Sequence, residues 1–265
     1  MPSRISARAF STAPLLSRFK KITTLSGVIL YFTEIESSEK AVYSDALAAD
    51  HDIAFAASLD DVDEDAEALC IFINSPITAE FLAKRPRLRF IATRSLSVEH
   101  IDVAACRARG IAVANVAHHG EITVAEHTFA LLLALSRRLR EVQLTPKNGR
   151  FSYGDTRGFD LAGKTLGIFG MGRIGQRVAS LAQAFGMHVL ACDVEPRPEI
   201  AQALGFDFVP LDVLLRESHI LTLHAPLLPA TFHILDRAAF AKCRRGVLVI
   251  NTARGSLIDL SLIHI

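Results

Sequence analysis

Short apolar runs alternate along this chain with longer stretches in which apolar side chains recur at helical spacing. Runs at residues 28–32, 53–56, 69–73, 89–93 and 111–115 read as strands. Between them lie helical patterns such as 101–109, closed by Gly110 at a C-cap position. A long helix is expected from about Val124, with Thr123 and Glu126 at capping-box spacing. It is apolar almost all round through Leu135, which predicts burial, and its end is basic at Arg137, Arg138 and Arg140. Residues 145–160 carry Pro146, Gly149, Gly154 and Gly158 and read as a connecting loop. A second half then repeats the alternation from Lys164, with strands at 165–169, 188–192, 220–223 and 247–251. Alternating strands and helices on this scale predict parallel sheets with crossover helices, and 265 residues allow one large or two ordinary domains.

The most informative junction follows the strand at 165–169. Gly170-Met171-Gly172-Arg173-Ile174-Gly175 runs straight into an amphipathic helix that ends near Phe185 and Gly186. In that context the first glycine permits a tight turn, the second lets backbone approach a pyrophosphate, and the third lets helix pack on strand. The helix start offers amides and partial positive charge to phosphates. The next strand ends at Asp193, where a carboxylate can accept ribose hydroxyls and repel a 2′-phosphate, so NAD is expected over NADP. Arg197 is the one nearby residue that could tolerate NADP, and a solvated surface arginine is the plainer expectation. Two further strands run into His224-Ala225-Pro226 and Thr252-Ala253-Arg254-Gly255, both at carboxyl ends where open α/β sheets bind ligands. A histidine beside a proline says little alone. An arginine among small residues leaves room for a ligand, and its planar fork fits a carboxylate.

Composition narrows the classes. A net charge of +1 leaves no basic excess for neutralising nucleic-acid phosphates. The apolar runs are too short to span a bilayer. Cys70, Cys106, Cys192 and Cys243 are widely spaced, in neither a zinc pattern nor a disulfide framework, so no metal is expected and the thiols suit a reducing, cytoplasmic compartment. The first 33 residues lack any acid while Arg4, Arg8, Arg18, Lys20 and Lys21 recur, the composition of a mitochondrial presequence. A disordered tail or an upstream start codon is the alternative, and residues 1–24 are set outside the fold, with a mitochondrial matrix location as the alternative to the cytoplasm.

Taken together, these motifs resemble the D-isomer-specific 2-hydroxyacid dehydrogenases, a family that includes D-lactate and phosphoglycerate dehydrogenases. The resemblance rests on residues 163–167 leading into the glycine motif, on His224-Ala225-Pro226-Leu227 with Thr231, and on Asn251-Thr252-Ala253-Arg254-Gly255. In the first half, Thr93-Arg94-Ser95 through Glu99-His100-Ile101-Asp102 is similar to the family's substrate-carboxylate loop. Residues 113–116 and 123–127 are similar to its interdomain crossing. It implies two doubly wound parallel-sheet domains: an incomplete flavodoxin-like substrate domain over 25–118 and an incomplete Rossmann NAD-binding domain over 119–259. It implies an NAD-dependent oxidoreductase that moves a hydride between NAD(H) and a small D-2-hydroxy acid or 2-keto acid pair, of the D-lactate and pyruvate kind. A homodimer is implied for the full-length protein. A non-enzymatic, NAD-gated corepressor-type binding module is the alternative that the same family offers.

Residue by residue, the resemblance makes Arg254 the catalytic arginine that pairs with the substrate carboxylate. The backbone amides of Leu96 and Ser97 bind that carboxylate, and His119 stands where the lactate branch often has a substrate-facing tyrosine. Gly170, Gly172, Arg173, Ile174 and Gly175 hold the pyrophosphate and Asp193 the ribose. His224, Ala225, Pro226, Thr231, Thr252 and Ala253 line the rest of the NAD pocket. Ser97 replaces the usual glycine and narrows the carboxylate site, and Ala117-His118-His119 departs from the family's proline, alanine and aromatic. The family's glutamate and general-acid histidine come downstream of the arginine, and His264 is too close to Arg254 to serve. After Asp259 the pattern breaks. Leu260-Ser261-Leu262-Ile263-His264-Ile265 is what CTG-TCT-CTT-ATA-CAC-ATC encodes, a transposon end used in sequencing libraries. Residues 260–265 are therefore expected to be non-native, the protein to continue past Asp259, and the 265-residue chain to be an inactive fragment; a genuine short C-terminus is the alternative.

Overall fold

The computed structural model describes residues 28–116, 120–144 and 157–263. The basic N-terminal stretch, Ala117-His118-His119, most of the 145–160 loop and His264 lie outside the described residues. The chain forms two compact units that divide between His119 and Gly120.

The first unit contains β1 (Ile29–Phe32), α1 (Ser37–Leu47), β2 (Asp52–Phe55), β3 (Ala68–Ile71), α2 (Ala79–Ala83), β4 (Phe90–Thr93), α3 (Val103–Ala108) and β5 (Ala112–Ala114). Its five strands are all parallel in the order β2-β1-β3-β4-β5. β3 and β4 are buried along their whole length, as expected of central strands covered on both faces. Two apolar clusters follow from this. Phe32, Tyr43 and Leu47 pack on one face, and Leu69, Ile71, Leu82, Ile91 and Cys106 on the other. The predicted helix over 101–109 is shorter, because Asp102 accepts the Ala105 amide at 2.8 Å and so starts it at Val103. Gly110 follows its end at φ +70°.

The second unit contains α4 (Glu121–Ser136), α5 (Leu139–Leu144), β6 (Thr165–Phe169), α6 (Arg173–Ala184), β7 (His188–Cys192), α7 (Pro198–Leu204), β8 (Asp207–Phe208), α8 (Leu211–Glu217), β9 (Ile220–Leu223), α9 (Arg237–Lys242) and β10 (Leu248–Asn251). Its parallel strands run β10-β9-β6-β7-β8, the doubly wound Rossmann order, with the reversal between β6 and β9. One face is covered by α4 and α6 through Phe129, Leu132, Ile168 and Val178. The other is covered through Leu214, Leu215, Leu223 and Ala239.

Two expectations for α4 are corrected. The helix begins at Glu121 behind Gly120, whose φ of +78° turns the chain into it, so Thr123 and Glu126 lie inside the helix and form no capping box. Nor is it buried all round. Ala125, Thr128, Phe129, Leu132 and Ser136 face the core, whereas Ile122, Leu131 and Leu135 are 52%, 38% and 48% exposed. Residues Leu260–Leu262 form a 3₁₀ turn capped by Asp259, with Leu260 and Ile263 exposed.

Candidate functional site

The reversal of strand order between β6 and β9 leaves a crevice at the carboxyl edge of the second sheet. Gly170 closes β6 at φ +95°, and its amide donates to the Cys192 carbonyl at 2.9 Å. A Cβ on Gly170 would fall 2.6 Å from the Ala225 nitrogen and 2.7 Å from the His224 carbonyl carbon. The two loops flanking the crevice therefore meet only because this residue has no side chain. Gly175 has the same role one turn later: its Cβ would stand 2.2 Å from the Gly170 oxygen, so any side chain would push α6 off β6. Gly172 differs. It is the N-cap of α6, in extended backbone, with nothing within 4 Å of its Cβ position and no side-chain cap on the helix. Open space over the uncapped start of a twelve-residue helix is a cradle for a pyrophosphate, so the residues present fit NAD.

The Met171 peptide is clamped from three sides. Its amide donates to Asp193 Oδ2 at 2.6 Å, and its carbonyl accepts from Gln176 Nε2 at 3.0 Å and Arg197 at 2.9 Å. Asp193 Oδ1 accepts the Glu195 amide at 3.0 Å. Asp193 thus stands at the expected edge, with its carboxylate turned onto the glycine turn itself. Arg197 is exposed but is not merely solvated, because it braces the same turn.

The flanking loops are locally fixed. His224 Nε2 lies 2.9 Å from Thr222 Oγ1, and burial pushes its pKa down to about 4, so the ring is neutral at physiological pH. Thr231 is buried; its hydroxyl donates to the Pro226 carbonyl at 2.7 Å and accepts the Leu228 amide at 2.8 Å, which ties off the loop after β9. Beyond β10, Asn251 brackets the next loop: Oδ1 accepts the Ala253 amide at 2.9 Å and Nδ2 donates to the Arg254 carbonyl at 2.8 Å. Thr252 Oγ1 lies 3.1 Å from Thr128 Oγ1 on α4. Arg254 is half-buried, and Nη1 donates to the Ala253 carbonyl at 3.2 Å. Thr128 is a supporting residue that the sequence pattern does not single out, and Asn251, which enters above only as part of a motif, takes its role as a side-chain amide at a strand end able to form an Asx-type turn.

In the first unit, the 95–97 loop leaves β4 at the carboxyl edge of that sheet. Ser95 Oγ donates to the Ser97 carbonyl at 2.6 Å, the Val116 amide donates to the Ser95 carbonyl at 3.1 Å, and Asn115 Nδ2 donates to the Leu96 carbonyl at 2.7 Å. Its carbonyls are thus held, while the amides of Leu96 and Ser97 have no acceptor among the described residues. Leu96 is 46% exposed. Amides without such an acceptor, beside held carbonyls, are the makings of an anion site. Among the described residues no group of histidine, cysteine and acidic side chains could hold a metal, and no helix is long and apolar enough to cross a membrane.

Residues 129–264 match the family model of the D-isomer specific 2-hydroxyacid dehydrogenase NAD binding domain. The chain is 37% identical over 198 residues to a 2-hydroxyacid dehydrogenase homolog of Haemophilus influenzae, covering 74% of this chain and 60% of that protein. It is 37% identical over 195 residues to D-3-phosphoglycerate dehydrogenase of Mycobacterium leprae, covering 74% of this chain and 37% of that protein. The chain therefore spans about 60% or less of the length of these curated relatives. Among solved structures, that of D-lactate dehydrogenase from Aquifex aeolicus complexed with NAD and lactic acid superposes with a TM-score of 0.84 at 35% identity. The match covers 89% of this chain and 72% of that one.

Proposed function

Because the chain belongs to the D-isomer specific 2-hydroxyacid dehydrogenase family, whose NAD-binding domain it carries, we propose that the whole protein reduces a small 2-keto acid to the D-2-hydroxy acid and reverses the reaction. One observation carries this reading. The glycine cradle after β6 and the Arg254 loop after β10 leave the same edge of one parallel sheet. NAD, when bound, supplies or takes the hydride. The chain's own residues bind and orient. The Arg254 guanidinium pairs with the substrate carboxylate and polarises the keto oxygen, the amides of Leu96 and Ser97 offer carboxylate-binding donors, and Asp193 takes the ribose hydroxyls. The remaining contacts of the NAD pocket fall to Arg173 and Ile174 and to the loops at His224–Pro226, Thr231 and Thr252–Ala253. The first unit is in this reading the substrate domain, and His119, which lies outside the described residues, is a further candidate for substrate binding.

Pyruvate is the substrate we favour, in keeping with the structural likeness to a D-lactate dehydrogenase. A homodimer accords with the exposed Ile122, Leu131 and Leu135 on α4. A cytoplasmic location accords with four free cysteines, and the bacterial relatives lend no support to a mitochondrial address. The test follows NADH oxidation by the full-length protein with pyruvate, hydroxypyruvate and glyoxylate, beside its Arg254→Lys variant. An ammonium cannot make the bidentate contact, so kcat/KM should fall by about 10- to 100-fold, the scale of one hydrogen bond to a charged group. Turnover of none of the three acids would overturn the assignment, and full activity of the variant would remove Arg254 from the site.

A further inference from the structure

The first sheet also reverses its strand order, between β1 and β3, but its crevice is filled from within. Thr33 leaves β1 by donating its amide to the Cys70 carbonyl at 3.0 Å, and Glu34 then takes a φ of +55°, in a left-handed region that residues with a Cβ avoid. That turn folds the Glu34 carboxylate over the end of β3. Oε1 accepts the Phe72 amide at 3.3 Å and the Ser75 hydroxyl, and Oε2 accepts the Asn74 amide at 3.0 Å. Ser75 Oγ also lies 3.0 Å from Thr33 Oγ1, with both residues buried.

The backbone of the same turn holds the next loop. Arg94 donates Nη1 to the Thr33 carbonyl at 3.0 Å and Nη2 to the Glu34 carbonyl at 2.6 Å. Its amide donates to the Ile71 carbonyl at 2.9 Å, and its guanidinium stands 5.5 Å from the centre of the Phe72 ring. Glu34 also borders a cavity of about 360 Å³ lined by Ile35, Glu36, Lys40 and Phe55. The carboxylate instead occupies the place where such a sheet would seat an anionic ligand, and it takes the amides that ligand would take.

We propose that Glu34 is a positioning residue of the substrate site. Its carboxylate fixes the 72–75 loop, and the turn it stabilises fixes Arg94, the residue from which the 95–97 loop departs. The inference rests on the reading of that loop as the carboxylate-binding segment. A left-handed glutamate persists only where its surroundings hold it, and here the holding bonds run to the 72–75 loop and to Arg94 at the head of the 95–97 loop. Glycine at this position would relax the backbone and remove the tie. Glutamine would keep the length but direct an NH₂ group at donors.

The test uses the full-length protein with Glu34→Gln and Glu34→Gly. Each variant should raise KM for the 2-keto acid about tenfold, with kcat within about threefold and NADH affinity unchanged, because binding geometry is lost and the second unit is untouched. Amide exchange at Phe72 and Asn74 should quicken at least about tenfold, while amides of β6 and β7 keep wild-type protection. An unchanged KM in both variants of an active protein, or a fall in kcat at constant KM, would overturn the proposal and leave the activity standing. Should the wild-type protein turn over no 2-keto acid, the activity fails and exchange alone decides. Quickening confined to 72–75 and 94–97 supports Glu34 as the tie, and unchanged protection removes it.

Discussion

The two units build the same kind of sheet and treat its reversal point in opposite ways. In the second, Gly170, Gly172 and Gly175 clear the crevice after β6, and an uncapped helix start faces open space. In the first, the crevice after β1 is occupied by Glu34, which consumes the amides of Phe72 and Asn74. The amides there that find no acceptor among the described residues stand one strand further along, at Leu96 and Ser97. A parallel sheet thus supplies an edge at which loops can bind, and individual residues decide whether its reversal point receives a ligand or fixes the neighbouring loops. Backbone topology alone would have placed a ligand in both.

The strongest way to break this contrast is to put a side chain into the open crevice. Gly170→Ala meets two costs together: φ of +95°, and a Cβ 2.6 Å from the Ala225 backbone, which cannot swing aside as a flexible side chain would. We expect a loss of roughly 3 kcal/mol or more in stability of the second unit, and NADH binding lowered beyond about 100-fold. Calorimetry with NADH titration reads both. Wild-type affinity would mean that the two loops need not touch.

How far the sequence reached follows from the range of each interaction. The strand, glycine turn, helix and Asp193 lie within residues 165–193, and local chemistry there dictates geometry, so they are legible. The start of α4 was misjudged because a hydroxyl and carboxylate at the right spacing lost to a left-handed Gly120 three residues earlier. Arg197 looked like a surface charge because its partner, the Met171 carbonyl, is 26 residues upstream. Glu34 was invisible for the same reason: its acceptor atoms serve amides 38 and 40 residues away, brought together only by the pairing of β1 with β3. The apolar circumference of α4 was legible, but which face stays uncovered depends on tertiary packing.

A second prediction concerns His224, beside the open crevice. Its folded pKa of about 4 lies below the ordinary 6.5, so the unfolded chain takes up a proton first as pH falls. The neutral ring's contribution is fully present above about pH 6.5 and is lost as pH drops through that value toward 4. The span corresponds to about 3 kcal/mol. Urea unfolding at pH 7 and pH 4.5 should therefore show a larger loss for the wild type than for His224→Gln. Equal losses would place the ring in contact with water.

Asp193 sharpens the contrast further, because its carboxylate holds the Met171 amide and, in the proposed reading, also takes the ribose hydroxyls. Asp193→Ala should weaken NAD and NADP together, since the glycine turn loosens for both. Asp193→Asn retains an oxygen acceptor for Met171 and removes the charge that repels a 2′-phosphate. Its NAD-to-NADP preference should fall by about tenfold, the weight of one charged contact. If both variants lose affinity for the two cofactors in equal measure, the carboxylate acts only on the turn and the ribose assignment fails.

The smallest effect is expected at Ser97, on the edge of the first unit. Its hydroxyl accepts the Glu99 amide at 3.1 Å, a local bond in an exposed loop, and its carbonyl is held by Ser95. Ser97→Gly removes that local bond and adds freedom to the unfolded chain, which together should cost about 1 kcal/mol or less. The amide that would bind the substrate carboxylate is backbone and survives the change, so KM for pyruvate should stay near its wild-type value. The space released beside the carboxylate should instead favour bulkier 2-keto acids. A difference of about one methylene in a fitted pocket is worth roughly tenfold in kcat/KM. Comparing pyruvate with 2-ketobutyrate and 2-ketoisocaproate in both forms reads this ratio without depending on absolute activity. A ratio that does not move would mean that the Ser97 side chain points away from the substrate, and the reading of this loop as a size filter would be lost.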